Sequence, residues 1–158
     1  MNNKGFTLIE LIMVLVILSI FSFTFATFIS EATDAWFFIK SRSTASGTAR
    51  YALNRITSEL RRINNPSQIS TMNASECQFT SIDSSSVNFK QVGTNIQRNS
   101  DILASGAVNP NGLIFTYLDS AGGTTAVSSE VRSIRVRVSI FRNQETSVLE
   151  SSARIRNL

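Results

Sequence analysis

Gly5-Phe6-Thr7-Leu8-Ile9-Glu10 leads into an uncharged apolar run, LIMVLVILSIFSFTFATFIS, at residues 11–30. About 20 residues with a rise of 1.5 Å each give a helix of roughly 30 Å, which matches the hydrocarbon core of a bilayer. A buried helix in a large soluble protein has a similar composition. A single run of this kind near the N-terminus of a 158-residue chain favours a membrane anchor.

The charges that flank the apolar run predict its orientation. Lys4 precedes the run, whereas Glu31 and Asp34 follow it. Because positive charge is retained on the cytoplasmic side, we expect a cytoplasmic N-terminus and a translocated C-terminal region. A cleaved secretory signal is the alternative, but its apolar core is shorter, about 7–15 residues, and ends at small residues. Phenylalanines at residues 21–28 occupy the place of such a site, so we expect the anchor to remain.

Glu10 is a carboxylate at the start of this apolar segment. An unpaired carboxylate within a membrane costs a few kcal/mol, and Lys4 lies six residues away. Cleavage after Gly5 would create an α-amine on Phe6, four residues from Glu10. That amine could pair with its own Glu10 or with the Glu10 of a neighbouring subunit. Alternatively, Glu10 lies among the lipid headgroups, where the helix dipole favours an acid.

Residues 4–11, KGFTLIEL, resemble the processing site of type IV prepilins and type II secretion pseudopilins. The resemblance implies cleavage between Gly5 and Phe6 by prepilin peptidase, which also N-methylates Phe6. It implies that Glu10 neutralises the Phe6 amine of an adjacent subunit during filament assembly. Partners would include other pilin subunits and an inner-membrane assembly platform. The assembly residues by this resemblance are Glu10, Thr7 and Leu8.

A weaker resemblance extends over the rest of the chain. Residues 49–62, residues 111–123, the arginine-rich strand from Val131 and residues 154–157 are similar to W-type minor pilins and J-type pseudopilins. Major pilins commonly carry a proline in the membrane helix and a disulfide-bounded loop. This membrane segment has no proline, and Cys77 is the only cysteine, which excludes an internal disulfide and favours a minor subunit.

The composition argues against catalysis, so we expect no enzyme activity, no cofactor and no bound metal. The chain has no histidine, and one cysteine cannot build a thiolate metal site. Cys77 is expected to be buried in a strand, free, or paired with another chain. Asp119 before Gly122-Gly123 fits a turn better than a calcium loop. The net charge of +4 is too small to indicate nucleic acid by itself.

Apolar residues at three- and four-residue spacing predict that the helix continues beyond the membrane to about Ile63. The stripe comprises Ala45, Ala49, Ala52, Leu53, Ile56, Leu60 and Ile63. Pro66 provides the stop. Residues 41–47 are poor in helix formers, which allows a bend there. Trp36, Phe37 and Phe38 are typical of an aromatic belt at the membrane interface or of packing in a filament.

Beyond Pro66 the pattern changes to that of strands, with residues 93–112 as a polar connection. The strands are predicted at residues 78–82, 87–92, 113–118, 131–141 and 148–155. The fold class is therefore α+β, a long helix packed on a mostly antiparallel sheet. The predicted regions are a leader at residues 1–5, a membrane and assembly helix at 6–30, its amphipathic continuation at 31–65, and a periplasmic or extracellular domain at 66–158.

Arg135 and Arg137 share one face of the predicted strand at residues 131–141. A basic surface can bind a DNA backbone, but this face lacks the aromatic residues that stack bases. A solvated face or ion pairs with a neighbouring subunit explains it better. Three functions are thus open: a minor subunit in the tip complex of a pilus or secretion pseudopilus, a tip-displayed adhesin or DNA receptor, and an anchored inner-membrane protein unrelated to filaments.

Overall fold

The computed structural model describes residues 5, 7–143 and 145–155, and the chain forms two compact units, Met1–Lys40 and Ser41–Leu158. One helix, α1, spans Leu8–Leu60, and eight strands follow it. The strands are β1 (Ile69–Met72), β2 (Glu76–Thr80), β3 (Ser86–Val92), β4 (Asn95–Arg98), β5 (Asp101–Ser105), β6 (Leu113–Leu118), β7 (Ser133–Arg142) and β8 (Glu145–Arg154). The predicted α+β class, a long N-terminal helix followed by antiparallel strands, is confirmed.

The part of α1 in the first unit carries exposed apolar side chains and is long and apolar enough to cross a membrane. Several of its hydroxyl groups donate to backbone carbonyls one turn earlier: Ser22 to Leu18 at 2.7 Å and Thr24 to Ile20 at 2.9 Å. A hydroxyl that is satisfied within its own helix costs less in lipid, where water cannot serve as its partner. The polar residues of this segment are therefore compatible with a membrane.

The part of α1 in the second unit buries the predicted stripe. Its seven members are at most 6% exposed: Ala45, Ala49, Ala52, Leu53, Ile56, Leu60 and Ile63. The helix ends at Leu60 rather than Ile63, and a short 3-10 turn, Pro66–Gln68, follows, capped by the Asn65 side chain. Residues 41–47 remain helical. Packing of Ala45 and Ala49 in the core outweighs the weak helix propensity of that stretch.

β1 to β5 form one antiparallel sheet in sequence order. The predicted hairpin is present as β2 and β3, with Phe79 and Phe89 packed inward. The prediction of a connection at residues 93–112 is wrong, because β4 and β5 lie there. Both are short: β4 has Ile96 as its only buried residue, and β5 exposes Ile102 and buries only Ala104, so neither shows an alternation strong enough to predict a strand. A tight turn at Gly93 connects β3 to β4, and one at Asn99 connects β4 to β5; both residues have a positive φ.

β6, β7 and β8 form a second antiparallel sheet in that order. The alternation predicted for β7 is present, with Ile134, Val136 and Val138 completely buried. β8 begins at Glu145, earlier than predicted, and pairs with β7 over its full length. The strand predicted at residues 148–155 is thus confirmed and is longer than expected.

The two sheets are connected by side-chain and backbone hydrogen bonds near β6. The Gln91 side-chain oxygen Oε1 accepts a hydrogen bond from the Leu113 backbone amide at 2.9 Å. The Phe115 backbone amide donates to the Ala74 backbone carbonyl at 2.7 Å. Gly112 lies where the chain passes close to itself, because a Cβ at this position would be 2.5 Å from the Val108 carbonyl oxygen. These contacts enclose one core between the sheets and the second half of α1.

Glu59 is a buried charged residue that lies outside the predicted apolar stripe of the helix. It is only 5% exposed. Its carboxylate accepts two bonds from Arg98 of β4, at 2.8 and 2.9 Å, and lies 2.6 Å from the Arg55 guanidinium. A buried carboxylate requires such partners. The ion pair therefore joins the helix to the first sheet.

Candidate assembly site

The candidate assembly site is the N-terminal part of the chain around Glu10. Gly5 is described and exposed, whereas Phe6, the predicted methylation site, lies outside the described residues. Thr7 directly precedes α1, and Leu8 is its first residue. Glu10 is the acidic residue of the first helical turn. The order of these residues therefore places a carboxylate one turn beyond the predicted cleavage point.

Thr7 and Glu10 form a reciprocal cap at the start of α1. The Thr7 amide and hydroxyl each donate to Glu10 Oε2 at 2.9 Å, and the Glu10 amide donates to the Thr7 hydroxyl at 3.4 Å. This is a capping box, which satisfies backbone amides that have no partner within the helix. The spacing of a threonine and a glutamate three residues apart is a recognised signal for it. The cap was not predicted from the sequence, where Glu10 was interpreted as an assembly charge or as an acid favoured by the helix dipole.

The cap leaves part of the Glu10 carboxylate available. Both bonds from Thr7 end on Oε2, and Oε1 accepts no hydrogen bond from the described residues. The side chain is exposed, so another molecule can approach it. The carboxylate is thus held in a fixed direction by Thr7, and among the described residues none donates to its second oxygen.

An extended apolar surface begins at the same turn. Leu8 is 77% exposed, and apolar side chains remain exposed on every side of the helix as far as Ile29. An apolar surface of this size is unfavourable in water and indicates a lipid or protein environment. Trp36, Phe37 and Phe38 are also exposed, in agreement with either an interfacial belt or packing between subunits.

The second predicted surface contains Arg135 and Arg137, which lie on the exposed face of β7. Their guanidinium groups approach the same carboxylate, Glu150 of β8, at 3.4 and 3.1 Å. Arg154 is exposed on the same face of β8. One carboxylate, Glu150, is thus shared by two of the three arginines, and the face keeps a net positive charge. Exposed ion pairs of this kind contribute little to stability.

Cys77 lies buried in β2, in agreement with one of its predicted outcomes. Burial raises the pKa of the thiol to about 12, while a hydrogen bond with Tyr117 acts in the opposite direction. The Tyr117 hydroxyl donates to the carbonyls of Asn73 and Glu76 at 3.3 Å. A protonated thiol without access to solvent is a poor nucleophile. Cys77 therefore acts as a small core residue.

Asp119 lies in a turn, as predicted. Asp119 Oδ1 accepts bonds from the amides of Ala121 and Gly123 at 2.8 and 2.9 Å, which closes the predicted turn. Among the described residues, no group of three or more histidine, cysteine, aspartate or glutamate side chains is placed to hold a metal ion. The carboxylate serves the backbone of its own loop.

Comparison with known proteins concerns the N-terminal part of the chain. Residues 1–25 match the family model of the prokaryotic N-terminal methylation motif. No curated protein and no solved structure matches the chain. The matched motif covers Gly5, Thr7, Leu8 and Glu10 and implies processing by prepilin peptidase and assembly with other pilins. The motif and the exposed apolar helix that follows it support a place for this chain among the membrane-anchored type IV pilins and pseudopilins.

Proposed function

We propose that this chain is a minor pilin or pseudopilin, a structural and non-enzymatic subunit of a type IV filament or type II secretion pseudopilus. The observation that carries the proposal is the methylation motif at residues 1–25, followed directly by a helix with exposed apolar side chains. The motif provides the processing site. The helix provides a surface that requires lipid first and other subunits later.

In the proposed mechanism, prepilin peptidase cleaves between Gly5 and Phe6 and methylates the new amine. Before assembly, the helix lies in the inner membrane and the strand-rich domain lies in the periplasm. Extraction transfers the apolar segment from lipid to a bundle of identical or related segments. Because lipid and such a bundle are both apolar, the transfer costs little, and charge pairing and packing determine the direction.

Glu10 is proposed to supply the directional charge. A carboxylate and an amine that are both in an apolar environment attract each other strongly, since water does not screen them. The open oxygen of Glu10 accepts the Phe6 amine of the preceding subunit, while Thr7 continues to hold the other oxygen. The cap therefore orients the carboxylate before its partner arrives.

The second unit is proposed to make the specific contacts of a minor subunit in the tip or priming complex. It has its own core of helix and two sheets, so its surface remains available for neighbours. The lone and buried Cys77 offers no internal disulfide of the kind that is common in abundant major pilins. A minor subunit is present in few copies, so it does not need a surface that packs repeatedly along the whole filament.

Substitution of Glu10 tests this mechanism in native cells. Glu10→Ala removes the charge, and we expect cleavage after Gly5 to persist while incorporation into filaments falls by tenfold or more, about the effect of 1.4 kcal/mol. Thr7→Val is the matched control, since it removes the hydroxyl of the cap but keeps the carboxylate. It should reduce incorporation less. Normal assembly of the Glu10→Ala protein would refute the role of this residue.

A tip-displayed DNA receptor is the second candidate, favoured only by the positive excess around Arg135, Arg137 and Arg154. Backbone recognition of this type weakens steeply with salt. The full chain in detergent would then bind a short DNA duplex at low salt, and the double substitution Arg135→Ala and Arg137→Ala would abolish the binding. Absence of binding at low salt would leave the structural subunit as the remaining proposal.

A further inference from the structure

The outer edge of β8 is the least protected strand edge in the described part of the chain. β8 has 10 residues and pairs with β7 without a register shift. The outer strands of the first sheet are much shorter: β1 has 4 residues and β5 has 5, and each pairs with its neighbour through a register shift. Proteins usually protect strand edges by such short or irregular strands, by lysine or by proline. β8 is long and regular and contains no lysine or proline, and its charged residues are Glu145, Glu150 and Arg154.

The other edge of the same sheet is covered. Along β6, the Leu113 amide bonds to Gln91, the Phe115 amide bonds to Ala74, and the Tyr117 carbonyl accepts from the Thr125 amide. No comparable bond reaches the outer edge of β8 from the described residues. One edge of this sheet is therefore closed by its own chain, and the other remains open.

The hydrogen-bond pattern shows which backbone groups point outward from β8. The Ile155 amide donates to the Arg132 carbonyl at 3.1 Å, which makes these two residues a hydrogen-bonded pair of the β7–β8 ladder. In an antiparallel ladder such pairs alternate with pairs whose amides and carbonyls point away. The outward set is thus the even-numbered residues of β8: Thr146, Val148, Glu150, Ser152 and Arg154.

The side chains beside this edge define the chemistry of a partner. On the exposed face, β8 itself carries Arg154 and Glu150, whereas Arg135 and Arg137 lie one strand inward on β7, with Arg135 opposite the small side chain of Ser152. On the opposite face, the odd-numbered residues Ser147, Leu149 and Ser151 are only half-buried, and Leu149 packs against the core. An added strand would therefore place acidic side chains next to Arg154 and, across Ser152, within reach of Arg135. Apolar side chains on its other face would lie beside Leu149.

We propose that β8 accepts an extended segment of another protein chain as a fourth strand, with acidic residues on the arginine side and apolar residues between them. Addition of a strand to an open edge gives affinity through the backbone and selectivity through alternate side chains. This inference deepens the proposed function, and it rests on that function only for the source of the segment, a neighbouring subunit of the assembly. Strand acceptance itself requires neither cleavage nor filament formation.

Hydrogen exchange of the full chain in detergent tests the proposal. The probe is a seven-residue synthetic peptide in which glutamate and valine alternate, and the control peptide has lysine in place of glutamate. Without peptide, the even-numbered amides of β8 should exchange quickly and the odd-numbered amides slowly. The glutamate peptide should slow exchange at the even-numbered positions by roughly tenfold, and the lysine peptide should not.

Two variants separate strand addition from indirect effects. Ser152→Pro removes an outward amide but no bond to β7, so it should abolish the protection and leave the odd-numbered amides slow. Ser152→Ala is its matched control and should keep the protection. The double charge reversal Arg135→Glu and Arg154→Glu should shift the preference to the lysine peptide, which provides a second test if the proline disturbs the fold.

Four results would overturn the proposal. They are slow exchange of the even-numbered amides before any peptide is added, equal protection by both peptides, no protection by the glutamate peptide, and protection that rises with protein concentration alone. The last would assign the edge to a second copy of this chain. Because all measurements use uncleaved, unassembled protein, a negative result here leaves the Glu10 experiment unaffected.

Discussion

The two halves of α1 have the same secondary structure but opposite surroundings. Residues 8–29 expose apolar side chains on every side, whereas Ala45, Ala49 and Ile56 farther along the helix are completely buried. The second half is stabilised by the core of its own chain. The first half depends on lipid or on other subunits, because most helix stability comes from packing rather than propensity. One continuous helix therefore joins a self-sufficient region to a region that requires an external environment.

The largest effect on folding is expected when an arginine is introduced into each half of the helix in turn. Ala49→Arg places an unpaired charge in the core and should unfold the second unit, because burial of such a charge costs several kcal/mol. Leu15→Arg should leave thermal unfolding of the second unit unchanged and instead oppose membrane insertion by about 2.5–3.5 kcal/mol. Thermal unfolding in detergent and membrane fractionation in cells measure the two effects. Equal loss of folding in both variants would contradict the comparison.

A smaller effect is expected at the ion pair that fixes the helix to the first sheet. Glu59→Ala leaves the Arg98 guanidinium without its carboxylate, and the free energy of unfolding should fall by about 3 kcal/mol. Glu59→Gln retains hydrogen-bond acceptors and should cost less. Urea unfolding of the full chain provides both values. If the Glu59→Gln protein were as stable as the wild type, the charge of Glu59 would contribute nothing to the attachment of the helix.

The smallest effect is expected at the exposed pair of Arg62 and Asp83. Arg62 donates to both Asp83 oxygens at 2.8 and 2.7 Å, and the Ser81 hydroxyl donates to Oδ1 at 3.0 Å. The hydrogen bond from Ser81, then a backbone hydrogen bond at Asp83 itself and then the charge of Arg62, lower the pKa of Asp83 below its ordinary value of 3.8. A lowered pKa means that this contribution is present above the ordinary value and is lost as the pH falls through the folded-state pKa.

The measurement for this pair is the melting temperature as a function of pH. Asp83→Asn should melt slightly below the wild type at neutral pH, and the difference should disappear well below pH 3.8. Arg61→Ala is the control, because Arg61 is an exposed arginine next to Arg62 that makes no ion pair within the described residues. A difference that grew at low pH would mean that the Asp83 pKa is raised rather than lowered.

Features with regular spacing could be predicted from the sequence. The stripe from Ala45 to Ile63 follows the helical period, and β7 alternates apolar and polar residues, so each pattern determined its element. Short polar strands could not be predicted in the same way. β4 has one completely buried side chain, Ile96, and its position depends on pairing with β3 and β5. Such strands are defined by their neighbours rather than by their own pattern.

The functional residues show the same difference between local sequence patterns and contacts of distant residues. The motif that contains Gly5, Thr7 and Glu10 could be recognised from the sequence because it is defined by the spacing of neighbouring residues. The Glu59–Arg98 pair was not, because its members are 39 residues apart and meet only when β4 packs beneath the helix. The open edge of β8 also required the structure, since it depends on which strands remain without a neighbour.

The most direct test of the account is mass spectrometry of the N-terminal peptide, in sheared surface filaments and in membranes of native cells. We expect a peptide that begins with N-methylated Phe6. Its presence in sheared filaments would assign the chain to a surface pilus, and its restriction to membranes would assign it to a secretion pseudopilus. A peptide that still carried Met1 to Gly5 in both fractions would contradict the processing of this chain as a pilin.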